Sequence, residues 1–463
     1  MPAFTPATAW LAETRALLRL AGPLVVNTLS IAGMQFADAV MAGRLGAEAL
    51  AAVAVGAGVW LLGFTVCLGL MMAIAPIASR YYGAGELDMI GRYTRQGILL
   101  GVFIGIFFIA VVYLFVGPAL VFFNIDSSFR DLTEGYVRAI ALGAPAICVF
   151  LALRFTSEGI GFTRPIMYTS LFGLVSNVFF NYVFMYGHLG APAMGAVGCG
   201  LASAVTMWLM MFMLGTWVVL HPRYRPLQIF ARLPPVRLTV LQEIVVLGAP
   251  IAVTITAEVG LFAAVSILMG TRSAEITAAH QIAINFASTM FMVPLALSSA
   301  ITIRIGHALG AGNSAAAKFS GVTGITLCAV FMACSAAFLL VFRNGVVSLY
   351  TNDTAVQAIA INLLFMAAVF QIADGIQVGA AGALRGYKDM RVAMVVTTIA
   401  YWVLAFPLAW LAAITYQAPP EYIWAGFVLG LSVAAILLAL RFRSVSNRAL
   451  SLSPREVAAT QPL

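Results

Sequence analysis

Three carboxylic side chains stand inside long apolar stretches of this sequence. Asp38 lies in VVNTLSIAGMQFADAVMAG, Glu258 in GAPIAVTITAEVGLFAAVSILMG and Asp374 in NLLFMAAVFQIADGIQVGAAG, whereas nearly all the other acids fall in loops or at block ends. A carboxyl group removed from water either holds a proton or stays ionised beside a cation. No basic residue stands deep in an apolar stretch, so the expected partner is a mobile one. The alternative is that the acids are hydrogen-bonded packing elements.

The composition sets the class of protein that holds these acids. Hydrophobic residues make up 62% of the sequence and charged residues 9%, and the mean hydropathy is +1.00, whereas a soluble domain carries about 25% charged residues. Each apolar block is long enough to cross a hydrocarbon core of roughly 30 Å as a helix. We therefore predict an all-α integral membrane protein with twelve transmembrane helices, near residues 16–42, 47–75, 93–116, 130–153, 165–186, 195–221, 242–269, 275–302, 317–341, 357–380, 391–416 and 420–442.

The basic residues indicate how these helices are oriented. The net charge is +8, but the Lys and Arg residues gather on one side of the predicted helices, which argues for a lipid bilayer and against nucleic acid as the partner. If the N-terminus is inside, all but five of the 25 are cytoplasmic, the exceptions being Arg44, Arg130, Arg138, Arg272 and Arg343. The start of the chain lacks the features of a removable signal peptide. We expect a multi-pass protein with both termini in the cytoplasm.

An internal repeat divides the chain into two halves. A shift of 227 residues superposes six pairs of identical residues without a gap: Pro23 and Pro250, Gly43 and Gly270, Glu48 and Glu275, Gly83 and Gly310, Gly85 and Gly312, and Asp126 and Asp353. After six helices the chain is again on the side of the membrane where it began. The two repeats are therefore expected to be parallel, related by an axis along the membrane normal. We predict an N-lobe of helices 1–6 at residues 1–221, a cytoplasmic linker at 222–240, a C-lobe of helices 7–12 at 241–442 and a cytoplasmic tail at 443–463.

Amide side chains are placed where they could contact the acids. Asn177 and Asn181 share one face of the fifth predicted helix, at i and i+4, and could reach Asp38. Gln281 and Asn285 have the same spacing on the eighth helix, where packing is an equally good explanation. The sequence contains no Gly-rich nucleotide loop, no His-Glu-x-x-His and no Gly-x-Ser-x-Gly motif, so we predict neither an enzyme nor a cofactor.

Several of these segments resemble one family of transporters. The segments are GPLVVNTLSIAGMQFADAVMAGRLGAEALAAVAV, GAPIAVTITAEVG, AAHQIAINFASTMFMVPLALSSAITIRIGHALGAG, FQIAD and ALRGYKD. Over nearly the whole chain they are similar to the multidrug and toxic compound extrusion (MATE) transporters, and among these to the bacterial NorM branch. The resemblance implies a protein of the bacterial inner membrane, which we expect to be a monomer. It implies export of small cationic or zwitterionic drugs in exchange for Na⁺, H⁺ or both, by alternating access between two lobes.

The resemblance also implies roles for particular residues. In the N-lobe, Asp38 with Asn177 and Asn181 matches the family's site for proton or cation coupling. In the C-lobe, Glu258 and Asp374 match its Na⁺ site. Positions matching the substrate cavity are Gln35, Phe262, Gln281, Asn285 and Phe370. At Phe370, NorM members can carry a Tyr, so this chain lacks one hydroxyl oxygen beside the tenth-helix acid.

Two other functions are compatible with a helical membrane protein. A lipid-linked oligosaccharide flippase shares the two-lobe plan, but it must hold a pyrophosphate and would need Arg or Lys inside the membrane, where this sequence has acids. A membrane-embedded enzyme would need a metal-binding or nucleophile motif of the usual kinds. The position of the acids therefore favours the exporter over both alternatives.

Overall fold

The computed structural model describes residues 6–230 and 236–451, which are helical over most of their length. Within these ranges, eleven helices are long and apolar enough to cross a membrane, and a bent pair brings the number of spans to twelve. The prediction of twelve transmembrane helices is confirmed. The spans are α1 (Pro6–Gly43), α2 (Ala47–Ala84), α3 (Leu87–Phe122), α4 (Ser127–Ala141 with Ala144–Gly159), α5 (Arg164–Tyr186), α6 (Gly195–Leu220), α7 (Leu238–Gly270), α8 (Ala274–Gly310), α9 (Ser314–Tyr350), α10 (Thr354–Gly386), α11 (Met390–Thr415) and α12 (Pro420–Ser451).

In two of the spans, a departure from regular α-helix lies beside a proline. The two segments of α4 meet at 45°, where Pro145 begins the second segment and cannot donate a backbone hydrogen bond. In α11, two π-helical segments, Ile399–Ala405 and Leu411–Thr415, lie on either side of the short α-helix that contains Pro407. A π-helical turn is wider than an α-helical one and is found most often at functional sites.

The repeat is visible in the turns that begin and end the helices. Asp126 accepts a hydrogen bond from the Ser128 amide at 2.9 Å and Asp353 accepts one from Ala355 at 2.9 Å, so each caps the helix that follows it. The hydrogen bonds from Ser128 hold the pKa of Asp126 below its usual value. Equivalent glycines, at positions 85 and 312, have φ of 77° and 73°, which few side chains tolerate. The paired residues therefore match because they stabilise equivalent helix ends in the two repeats.

The chain forms two compact units that divide inside helices rather than at the linker. One, the N unit, is Pro23–Ala252, and the other, the C unit, is Met1–Gly22 with Val253–Leu463. The boundary in α1 falls at Pro23, and the boundary in α7 falls two residues after Pro250. These units differ from the lobes expected from the sequence, because the first turns of α1 pack with the second repeat and those of α7 with the first. The division into lobes at residues 1–221 and 241–442 stays a prediction.

Hydrogen bonds to carboxylates hold the first turns of α1 in the C unit and the first turns of α7 in the N unit. In the C unit, Arg304 donates to both Glu13 carboxylate oxygens, at 2.9 and 2.6 Å, and the Ser320 hydroxyl donates to one of them at 2.7 Å. In the N unit, the Tyr93 hydroxyl donates to Glu243 at the start of α7. Because desolvation offsets much of the attraction in such pairs, they fix geometry more than they add stability.

The linker and the tail contain more structure than the sequence indicates. Part of the linker, Pro222–Leu227, is a 3₁₀ helix, in which the buried Tyr224 donates to the Ser157 hydroxyl at 2.8 Å. The sequence predicts only a cytoplasmic linker here, and that location stays a prediction. In the tail, α12 continues to Ser451. Residues 231–235 of the linker and 452–463 of the tail lie outside the described part of the chain.

Candidate functional site

The N unit brings Asp38 into direct contact with the amides of α5. Asn181 Nδ2 lies 2.6 Å from Asp38 Oδ1 and 3.3 Å from Asn177 Oδ1, and therefore donates to both oxygens. Asn181 is 0% exposed and Asn177 is also buried, because the i, i+4 spacing turns both amides inward. The structure thus places together the three N-lobe residues selected from the sequence, while their role in ion coupling stays a prediction.

Further contacts position this acid, and the sequence did not single them out. The carboxyl group of Asp38 also interacts with Cys199 and Ser203 on α6, and Asn177 Nδ2 lies 3.5 Å from Ser203 Oγ. Tyr186, at the end of α5, donates to the Met41 carbonyl at 2.9 Å and so fixes α1 beside α5. Cys199 and Ser203 lie among small residues at i and i+4, a spacing that could have identified them. Among the described residues, the hydrogen-bond partners of Asp38 are polar, uncharged side chains.

The C unit brings its two acids together from α7 and α10. Asp374 and Glu258 interact electrostatically, so two carboxyl groups share one region of the spans. Asp374 is 3% exposed, and its Oδ1 has no hydrogen-bond partner among the described residues. A buried carboxylate oxygen without a partner is costly unless a proton or a cation satisfies it. The two acids therefore form the kind of oxygen site that binds hard cations.

A basic residue also reaches this site, contrary to the expectation from the sequence. Arg385 interacts electrostatically with Glu258, and its Nη2 donates to Ser298 Oγ on α8 at 2.5 Å. Side chains on a helix lean toward its N-terminus, so Arg385 extends from the end of α10 toward Asp374. The contact with Ser298 also requires Gly382, where a Cβ would lie 2.4 Å from Ser298 Oγ. The spacing of residues along α10 would by itself place the Arg385 guanidinium too far from Asp374 to belong to this site.

Aromatic side chains pack beside the C-unit acids. Phe370 is 2% exposed and meets Trp424 on α12 edge-on, with ring centroids 5.8 Å apart. Phe262 is half-buried and stacks on Phe427 at 5.0 Å. In this structure Phe370 is therefore a packing residue in the helix core, while Phe262 keeps part of its ring accessible. Their assignment to a substrate cavity stays a prediction.

The remaining predicted residues form exposed polar surface. Gln35 is exposed on α1, and Gln281 and Asn285 are exposed on one face of α8 together with Ser288 and Thr289. Their neighbour His280 is buried instead: it accepts from Trp424 Nε1 on Nδ1 at 3.1 Å, and its Nε2 lies 2.9 Å from Ser266 Oγ. Since exposed amides in a membrane span are costly in lipid, this face of α8 is suited to water or a polar ligand.

Twelve spans with carboxyl groups inside several of them are typical of secondary transporters. The MatE family model matches the chain twice, at residues 23–183 and 250–411, once in each repeat. The multidrug resistance protein MdtK of Edwardsiella ictaluri is 38% identical over 93% of this chain and 95% of that protein. The multidrug resistance protein NorM of Vibrio vulnificus is 37% identical over 93% and 95%.

The fold agrees with these matches. A solved structure described as the outward-facing conformation of a multidrug resistance MATE family transporter superposes with a TM-score of 0.87 at 19% identity, and the match covers 95% of this chain and 97% of that one. The chain therefore belongs to the MatE family. It is a multi-pass membrane transporter and not an enzyme.

Proposed function

We propose that this protein is a multidrug efflux antiporter of the bacterial inner membrane. It exports cationic or zwitterionic amphiphilic drugs in exchange for Na⁺, H⁺ or both, by alternating access between its two lobes. The observation that carries the proposal is the position of carboxyl groups inside spans of both repeats, with Asp38 bonded to Asn181 and Asp374 beside Glu258, in a chain whose relatives are named multidrug resistance proteins. No cofactor is proposed, and the protein acts as a monomer.

The residues divide the work of coupling. Asp38, held by Asn181 in the N unit, takes up a proton or a cation, and Glu258 with Asp374 holds a Na⁺ ion in the C unit. Arg385 offsets part of the negative charge of the C-unit pair. A cationic drug competes with the coupling ion for the same negative charge, so that binding one favours release of the other. The exposed amides of α8 offer hydrogen bonds to polar groups of the drug.

Charge counting limits the stoichiometry of the exchange. An inward cation gains about 2.3 kcal/mol per charge for each 100 mV, equivalent to roughly a 50-fold substrate gradient. Exchange of one cation for one monocationic drug moves no net charge and gains nothing from the membrane potential. Two acid sites allow two ions per drug, and this exchange does move a charge. We therefore expect export of a monocation to respond to voltage only when both sites are loaded.

A flippase for lipid-linked oligosaccharides is less well supported. Such a protein needs cationic groups for a pyrophosphate, and Arg385 is the residue in this structure that most resembles one. Its guanidinium already has Ser298 and Glu258 as partners, so it acts as an internal counter-charge.

Efflux from proteoliposomes with an imposed ion gradient tests the proposed function. Ethidium serves as the monocationic probe and a quinolone as the zwitterionic one, with a Na⁺ or a pH gradient applied alone and with or without a membrane potential. At least one gradient should drive efflux of both probes. If neither gradient moves either probe, the antiporter assignment is wrong.

The orientation of the chain requires its own test. Because the basic residues divide unequally, a reporter fused after Gly312 should be cytoplasmic and one fused near Asp353 periplasmic. The opposite result at either position would contradict the proposed orientation, with both termini in the cytoplasm.

A further inference from the structure

Tyr401 lies beside the C-unit acids on a helix that the sequence did not connect with them. It belongs to the π-helical segment Ile399–Ala405 of α11 and interacts electrostatically with both Glu258 and Asp374. The next residue, Trp402, donates from Nε1 to the carbonyl of Ala257 at 3.1 Å. Because Ala257 immediately precedes Glu258, this hydrogen bond fixes the Tyr401 segment of α11 against the acid-bearing turn of α7.

The hydroxyl of Tyr401 has no partner in the described part of the chain. Tyr401 is 1% exposed and its hydroxyl is unpaired, as are Oδ1 of Asp374 and the side-chain oxygen of Gln371, one turn before that acid. A phenol buried in this way loses its hydrogen bonds to water without replacement, which a purely structural tyrosine would avoid. Oxygen atoms left unpaired around two carboxyl groups are typical of a site that a dehydrated cation completes.

We propose that the Tyr401 hydroxyl is a neutral ligand of the Na⁺ ion held by Glu258 and Asp374, and that it selects Na⁺ over the proton at this site. The inference rests on the proposed coupling role of the two acids. A proton needs only a carboxylate oxygen, whereas Na⁺ needs several oxygen ligands, so loss of the phenol should affect Na⁺ alone.

Equilibrium binding of ²²Na⁺ to the purified full-length protein in detergent tests this assignment without requiring transport. In Tyr401→Phe, which keeps the ring, we expect Na⁺ affinity to fall about tenfold, as for the loss of one ligand to a charged group. The matched control is Tyr387→Phe, which removes the hydroxyl of another buried tyrosine of the same unit, one that packs on Phe442. Its Na⁺ affinity should stay within twofold of the unmodified protein.

Thermal unfolding separates a ligand from a structural residue. If the hydroxyl serves the ion, Tyr401→Phe should unfold at the same or a higher temperature without Na⁺, since it removes an unpaired buried group, and it should lose most of the stabilisation that Na⁺ gives. Substrate efflux driven by a Na⁺ gradient should fall in this variant, while efflux driven by a pH gradient should stay within twofold.

The outcomes distinguish this proposal from the one on which it rests. Unchanged ²²Na⁺ affinity in Tyr401→Phe, with binding still lost in Asp374→Asn, would overturn the role of Tyr401 and leave the acid pair in place. Equal loss of Na⁺-driven and proton-driven efflux in Tyr401→Phe would overturn its selectivity. If the unmodified protein binds no ²²Na⁺, or if the Asp374→Asn variant binds it as well as the unmodified protein does, then both the role of Tyr401 and the Na⁺ role of the acid pair are wrong, whereas proton-driven export by the protein is decided by the efflux assay.

Discussion

The N unit and the C unit each hold acids within their spans, but they surround them differently. In the N unit, Asp38 accepts a hydrogen bond from Asn181 at 2.6 Å and interacts with the polar side chains of Asn177, Cys199 and Ser203. In the C unit two carboxyl groups lie close together, Arg385 faces one of them, and Asp374 Oδ1 is without a partner among the described residues. One repeated fold therefore carries two unlike groups of acids.

The difference suggests a division of labour between the units. A lone carboxyl group with an amide donor can change protonation without rearranging other charges, which suits a proton. Two carboxyl groups with unpaired oxygens near them are better satisfied by a cation with several ligands, and a neighbouring arginine offsets the excess charge. We infer that the acids were added to each repeat separately, because at the positions equivalent to Asp38 and Glu258 the other repeat has Val265 and Ile31.

The largest effect should come from neutralising the C-unit pair. Asp374→Asn and Glu258→Gln should each abolish the Na⁺-driven part of drug resistance in an efflux-deficient host, because each removes one of the two carboxyl groups proposed to hold the Na⁺ ion. The measurement is the inhibitory drug concentration, with the amount of protein in the membrane determined on the same cells. Glu275→Gln, which alters an exposed acid in the first turn of α8, is the matched control and should retain resistance. Full resistance in both site variants at normal expression would rule out this role.

A second prediction separates the two units. In proteoliposomes, Asp374→Asn should lose the stimulation by a Na⁺ gradient and keep a response to a pH gradient, whereas Asp38→Asn should lose the response to pH and keep that to Na⁺. The reason is that the residues equivalent to Asp38 and Glu258 in the other repeat are the apolar Val265 and Ile31. Asp131→Asn, at an exposed position of α4, should behave as the unmodified protein. Equal loss of both responses in both site variants would mean that the units act as one coupled site.

Much of this architecture could be predicted from the sequence, because lipid imposes simple rules on it. Apolar length fixed the spans, and i, i+4 spacing placed Asn177 and Asn181 on one face of α5. Arg385 and Tyr401 could not be placed in this way. The reach of the arginine depends on the close approach of α8 at Gly382, and the direction of Tyr401 depends on a π-helical segment. Both positions result from packing between helices, and the spacing of residues along one helix does not predict such packing.

A smaller effect is expected for the two amides of the N unit. Asn181 donates to Asp38 Oδ1 at 2.6 Å, whereas Asn177 interacts more weakly with Asp38 and lies 3.5 Å from Ser203 Oγ, so Asn181→Ala should reduce proton-driven efflux more than Asn177→Ala does. Loss of a hydrogen bond to a charged group corresponds to about tenfold or more in affinity. Asn362→Ala, which removes an exposed amide bonded to Glu421 in the C unit, is the control. The same loss of proton-driven efflux in both N-unit variants would show that the strength of the hydrogen bond to Asp38 does not set the size of the effect.

The smallest effect should appear where the two repeats are alike. Asp126→Ala and Asp353→Ala each remove a helix N-cap, so both should lower the unfolding temperature by a few degrees at most and leave transport unchanged. Because its hydrogen bonds lower the pKa of Asp126 from an ordinary value of 3.8, this cap stabilises the fold at neutral pH, and its contribution is lost as the pH falls through the lowered value. The difference in unfolding temperature between the unmodified protein and Asp126→Ala should therefore shrink in acid. Loss of transport in either cap variant would mean that the unlike acid sites are not the only functional difference between the repeats.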